Sequence, residues 1–151
     1  MGIRVGILKL RENAFIPEYK QGLGYYEIKC CKNPFHPING TEGYRISNLN
    51  KRISIYTGIN FDIPNGYYME IFPGIDVGSI HNGAKLFAAT KIITGIDYNE
   101  IMITFNNEDL STYIEPGTVI AKGVVRKFEN VDTIVNDIVS KQKLMGQSYL
   151  E

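Results

Sequence analysis

The sequence predicts a mainly β protein, with one β domain over residues 1–128 and one C-terminal α-helix with its tail over residues 129–151. Three observations carry this prediction. Apolar residues recur at alternate positions in short runs through most of the chain. Clusters of Gly, Pro and Asn separate those runs and stop them from joining. Only after Asn130 does the spacing change to a helical period.

The elements follow in order. "IRVGILKL" sets Ile3, Val5 and Ile7 against Arg4 and Gly6, the rhythm of a half-buried strand. "YYEIKCC" and "YRISNL" continue it, with "NPFHPINGTEG" between them as a long loop stopped by Pro34, Pro37 and Asn39-Gly40. "RISIYTGINFDIP" and "YYMEIFP" meet at Pro64-Asn65-Gly66. Proline presets the first corner and Asn-Gly supplies positive φ, so this junction predicts a hairpin. "AKLFAATKIITGI", "EIMITFNN" and "GTVIAKGVVRKF" complete the strands, the last opening at Pro116-Gly117.

In "NVDTIVNDIVSKQKLMG" apolar residues fall at Val131, Ile134, Val135, Ile138, Val139 and Met145, mostly at helical spacing. Asn130 or Asp132 can cap the start and Gly146 can end the helix, with Lys141 and Lys143 suiting its C-terminal dipole. Such a stripe needs cover, from the β domain's flank or a neighbouring subunit. Val131, Ile134, Val135 and Ile138 are therefore the candidate interface residues.

Composition narrows the function. The 16 Lys and Arg balance the 16 Asp and Glu, so no global field draws nucleic acid or an acidic membrane, and neither is expected as a partner. No run approaches the roughly 18 apolar residues that span a bilayer. "MGIRVGILKLRENAF" shows neither a secretory signal nor a myristoylation pattern. Cys30 and Cys31 are adjacent, and a vicinal disulfide is strained, so a reducing, cytoplasmic setting is expected. Two histidines, His36 and His81, argue against a zinc site. Richness in Ile, Asn, Lys and Tyr is consistent with an AT-rich genome, as in many viruses.

Four fragments, in order, resemble the trimeric dUTPase family, which hydrolyses dUTP to dUMP and pyrophosphate. "LKLRENAFIPEYKQGLGYYEI" is similar to the family opening that leads into "A-G-Y-D-L". "TGINFDIPNGYYMEIFPG" resembles "T-G-I-x-V-x-I-P-x-G-Y-x-x-x-I-x-P-R-S-G", the most specific match. "TGIDYNEIMITFNN" resembles the segment around "G-V-I-D-x-D-Y-R-G". "IEPGTVIAKGVV" is similar to "G-D-R-I-A-Q-L-V". The resemblance implies a jelly-roll-like β barrel, a homotrimer, and active sites between subunits where magnesium bridges the triphosphate.

Carried over position by position, the resemblance implies lost chemistry. The magnesium-holding carboxylate of "A-G-Y-D-L" becomes Tyr26, and Glu27, one residue on, faces the other way. In "PGIDVGS", Gly74 replaces the phosphate-binding arginine, Ile75 the serine and Asp76 a glycine. Two unit charges about 4 Å apart repel by about 4 kcal/mol at an effective dielectric near 20, so Asp76 opposes a phosphate there. Asp97 matches the family's general base and Tyr98 its sugar-selecting tyrosine, although the hairpin around them is shorter. Val119 and Lys122 replace an arginine and a glutamine, and no glycine-rich C-terminal arm is present.

The pocket remnant thus comprises Asp76, Gly78, Ser79, Gly95, Asp97 and Tyr98, with Asp97 the catalytic residue if the protein is an enzyme. Asp97 is equally a turn former, and the paired tyrosines are equally core residues. The expected function is a non-catalytic structural or interaction protein, a homotrimer in a viral particle that contacts itself and other capsid or structural proteins. It needs no cofactor and no metal, and its setting is the cytoplasm or the virion. The alternatives are a divergent magnesium-dependent dUTP pyrophosphatase and a nucleotide-binding regulator without turnover.

Overall fold

The computed structural model describes residues 2–35, 42–75 and 85–139. His36, Pro37, Asn39-Gly40, Asp76, Gly78, Ser79, His81 and the predicted helix end from Lys141 to Gly146 lie outside the described residues. Twelve strands form among the described residues: β1 (Gly6–Lys9), β2 (Glu18–Lys20), β3 (Tyr25–Lys29), β4 (Tyr44–Ile46), β5 (Arg52–Tyr56) and β6 (Ile59–Asp62), then β7 (Tyr67–Pro73), β8 (Lys85–Phe87), β9 (Lys91–Ile93), β10 (Met102–Glu108), β11 (Thr112–Ile114) and β12 (Val119–Lys127).

The largest sheet runs β2-β3-β12-β7-β9, and β5-β10-β8 form a second. Two further ladders join β1 to β6 and β4 to β11. Every pairing is antiparallel. Alternating side chains from these sheets meet in one core, with Ile28, Ile55, Ile59, Phe61, Met69 and Phe105 fully buried. The period-two reading of the sequence therefore describes the fold class correctly.

Three expectations need correction. The predicted jelly-roll-like barrel does not close among the described residues, where the ladders stay separate as short strands end and the chain changes sheet. The predicted hairpin at Pro64-Asn65-Gly66 forms only its turn. Gly66 adopts φ 86° and Tyr67 N–H donates to Pro64 C=O at 3.2 Å. Its strands then diverge, β6 pairing with β1 and β7 with β12 and β9.

The third correction is the start of the C-terminal helix. Residues 131–137 are not helical, and helical conformation begins only at Ile138 and Val139. Val131, Ile134 and Val135 are 77%, 80% and 85% exposed, so no described part of the chain covers these residues. A segment rich in β-branched residues has weak helix propensity, and a short helix without tertiary cover is marginal.

Smaller differences share one cause, the partner strand. β1 starts only at Gly6, because its partner β6 ends opposite at Asp62. "AKLFAATKIITGI" divides into β8, paired with β10, and β9, paired with β7.

"RISIYTGINFDIP" divides at Thr57-Gly58, where the chain leaves the sheet of β10 and joins β1. Thr57 is fully buried, and its hydroxyl donates to Ile101 C=O at 2.6 Å. Gly58 turns at φ 70°, its carbonyl accepts from Leu10 N–H at 2.7 Å, and its N–H donates to Glu100 Oε2 at 2.8 Å. Glu100 Oε1 accepts from Arg11 Nε at 2.8 Å. One carboxylate thus ties the loop after β1, the sheet change and the start of β10 together.

A Cβ at Gly58 would meet the Cβ of Ala14 at 2.8 Å, whereas one at Gly66 would meet nothing within 4 Å. Gly66→Ala should therefore cost about 1 kcal/mol of left-handed backbone strain. Gly58→Ala adds overpacking and should cost about 2–4 kcal/mol in total. Urea unfolding of the two variants measures the difference.

Candidate functional site

Gly95, Asp97 and Tyr98 are brought together on one turn leading into β10. Gly95 adopts φ 60°, and its carbonyl accepts from Ile63 N–H at 2.8 Å. Ile96 bridges Asp62, which seats the turn against the end of β6. Asp97 Oδ1 accepts from Asn99 N–H at 2.9 Å and from Asn99 Nδ2 at 3.0 Å, the pattern of an Asx turn. Asn60 Nδ2 donates to Asn99 C=O at 2.6 Å and locks the turn to β6. Tyr98 is 73% exposed. The Asp97 carboxylate is thus engaged in shaping its own loop.

The position where the resemblance expects a metal-holding carboxylate is filled by packing. The Tyr26 ring lies edge-on to Tyr19 at 4.9 Å and tilted against Phe61 at 5.2 Å. Burial, first, and the neighbouring Tyr19 push its phenol pKa upward. Glu27 points to the other side of β3 and pairs with Lys20 at 3.1 Å, which also holds Glu18 at 3.2 Å. Among the described residues no three His, Cys, Asp or Glu side chains gather in a way that could hold a metal ion.

The phosphate-cradle positions follow the same pattern. Gly74 N–H donates to Ile120 C=O at 2.9 Å, so it belongs to the ladder, and Ile75 packs against the core. Val119 is half-buried. Lys122 is exposed, with its ammonium 4.7 Å from the centre of the Tyr25 ring.

Cys30 and Cys31 are both buried free thiols. The Cys30 Sγ donates to Glu115 C=O at 3.2 Å, and burial pushes its pKa up to about 11. These are packed, unreactive thiols.

One feature was missed by reading the sequence. A cavity of about 620 Å³ opens beside β4, β5 and β11, lined in part by Phe35, Arg45, Arg52, Tyr56 and Tyr113. Its only local signal is the alternation Arg52-Ser54-Tyr56, which places three polar or amphipathic side chains on one strand face.

No protein-family model and no curated protein sequence matches the chain. Solved structures do. The dUTPase of Staphylococcus bacteriophage 80alpha is similar over 89% of this chain and 96% of that one, with 17% identity and a TM-score of 0.65. A mutant dUTPase from phage phi11 of S. aureus is similar over 89% and 97%, with 15% identity and a TM-score of 0.65. The fold is therefore dUTPase-like. The phage 80alpha protein is described as controlling transfer of virulence genes by a G protein-like mechanism, and the phi11 structure as coordinating a structural Mg(II) ion.

Two outcomes are expected from this geometry. Tyr26→Asp should lower stability by about 3 kcal/mol in urea unfolding, since it places a carboxylate among aromatic rings. The second concerns pH. The unfolded Cys30 thiol ionises near 9.0 and the folded one near 11, so between these values only the unfolded chain has lost the proton. Stability should fall as pH rises through that window and be unaffected by this group below it. The fall should be shallower in Cys30→Ala, measured by denaturation at pH 7.5 and 10.

Proposed function

We propose that this chain is a non-catalytic interaction protein of dUTPase-like fold, of viral origin, that works as a homotrimer without a resident metal. One observation carries the reading: two of the positions expected to grip magnesium and phosphate, Tyr26 and Ile75, pack against the interior. Tyr26 is wedged between rings and Ile75 joins the core, while Asp97 caps its own turn. A triphosphate site needs charge neutralisation, a positioned water and an available base together. The described positions offer none of the arginine or hydroxyl groups that would supply the first.

The finer role takes one of two forms. A threefold module in a viral particle, contacting other structural proteins, suits a small trimer. A regulatory module that binds a partner protein is favoured by the role described for the phage 80alpha dUTPase. In both forms the exposed Val131, Ile134, Val135 and Ile138 supply a contact surface, between subunits or to the partner.

The test joins two measurements on one sample, solution mass and release of pyrophosphate from dUTP with magnesium. A trimer without turnover is expected, and Asp97→Asn should change neither result. Turnover that disappears in Asp97→Asn would overturn the reading. Ile138→Asp should lower the assembled mass while leaving the β domain folded, and an unchanged mass would remove that segment from the subunit interface.

A further inference from the structure

The cavity beside β4, β5 and β11 is separate from the positions just discussed. None of Tyr26, Gly74, Ile75, Asp97, Tyr98, Val119 or Lys122 lines it. We propose that it binds a small phosphorylated ligand carrying a planar ring, of the size of a nucleoside monophosphate.

Charge points first to a phosphate. Arg11 is paired with Glu100 and Arg126 with Glu70, but Arg45 and Arg52 have no carboxylate partner among the described residues. No Asp or Glu is among the described residues that line the cavity. Two arginines lining one cavity make it favourable for an anion. A phosphomonoester near pH 7 carries a charge of about −1.5 to −2, which matches two arginines better than a single carboxylate does. Guanidinium forks also fit phosphate oxygens geometrically.

The walls point to a ring. Phe35 and Tyr56 lie with ring centroids 5.3 Å apart, tilted by 59°. Arg52, Ser54 and Tyr56 share one face of β5 by strand alternation, and Arg45 sits directly opposite Tyr113 across the β4–β11 ladder. The β4–β11 ladder and strand β5 thus each contribute one guanidinium and one aromatic side chain to the lining. This is the arrangement needed to hold an anionic end and a flat end together.

The site is also held in shape before any ligand arrives. Gly43 N–H donates to the Tyr113 hydroxyl at 2.7 Å, which leaves the phenol proton free to be donated to a ligand. A Cβ on Gly43 would lie 2.8 Å from that phenol and 2.2 Å from Ile114 C=O, so this close approach demands glycine. The volume, about 620 Å³, falls within the roughly 300–1,000 Å³ of small-molecule sites.

The experiment is titration calorimetry on the full chain with four probes: dUMP, AMP, inorganic phosphate and deoxyuridine. At least one monophosphate should bind saturably, and phosphate or nucleoside alone should bind at least about tenfold more weakly. Arg45→Gln and Arg52→Gln should each weaken binding about tenfold or more, as loss of a charge-assisted bond requires. Both side chains are exposed, so melting curves should show folded variants. Asp97→Asn should leave the affinity unchanged. No saturable binding at millimolar monophosphate, insensitivity to both arginine changes, or loss of binding in Asp97→Asn would each overturn the proposal. These outcomes are independent of dUTP turnover, which tests the preceding reading.

Discussion

The Glu100 carboxylate is the constraint on which the rest of the arrangement depends. One oxygen takes the Arg11 guanidinium and the other takes the buried Gly58 N–H, with the side chain only 15% exposed. Without that acceptor, the amide at the sheet change would be left unpaired in the interior, at a cost of about 1–3 kcal/mol. Gly58 can turn because its N–H has this partner and its missing Cβ leaves room for Ala14. The turn in turn directs β5 into one sheet and β6 into another, and it sets where Ile101 and β10 begin. The resulting strand positions place both the Asp97 loop and the wall of the Arg45–Arg52 cavity.

Tyr26 and Ile75 stand where the resemblance expects a hydrated carboxylate and a hydroxyl. In this structure both contribute to packing. Such apolar burial is worth on the order of 25 cal/mol per Å² removed from water. These two positions therefore add to the cohesion of the scaffold.

Much of the fold was legible because it rests on local pattern. Period-two alternation marked Ile53-Ile55 and Met69-Ile71, and the glycine and proline punctuation marked the turns. What alternation cannot show is which strand pairs with which. The Pro64–Gly66 turn was visible, yet its strands part, β6 pairing with β1 and β7 with β12. The helical period after Asn130 was equally visible, but residues 131–137, exposed and uncovered, do not take it up. Of the candidate site, the turn at Gly95–Tyr98 was readable from its motif. The convergence of Arg45, Arg52 and Tyr113 was not, because it is created by ladders between segments far apart in sequence. Gly43 and Tyr113, which shape that cavity, are 70 positions apart.

The wiring of the ladders has a consequence for how the protein comes into being on the ribosome. Arg11 meets Glu100 across 89 positions, Cys30 meets Glu115 across 85, and β3, paired locally with β2, finds its other neighbour only in β12. Apart from the local β2–β3 pair, early segments therefore leave the exit tunnel before their partners are made, and the largest sheet is completed only when β12 emerges. Such long-range closure is slow and leaves strand edges exposed meanwhile. A nascent chain of this design is a natural client for a holding chaperone.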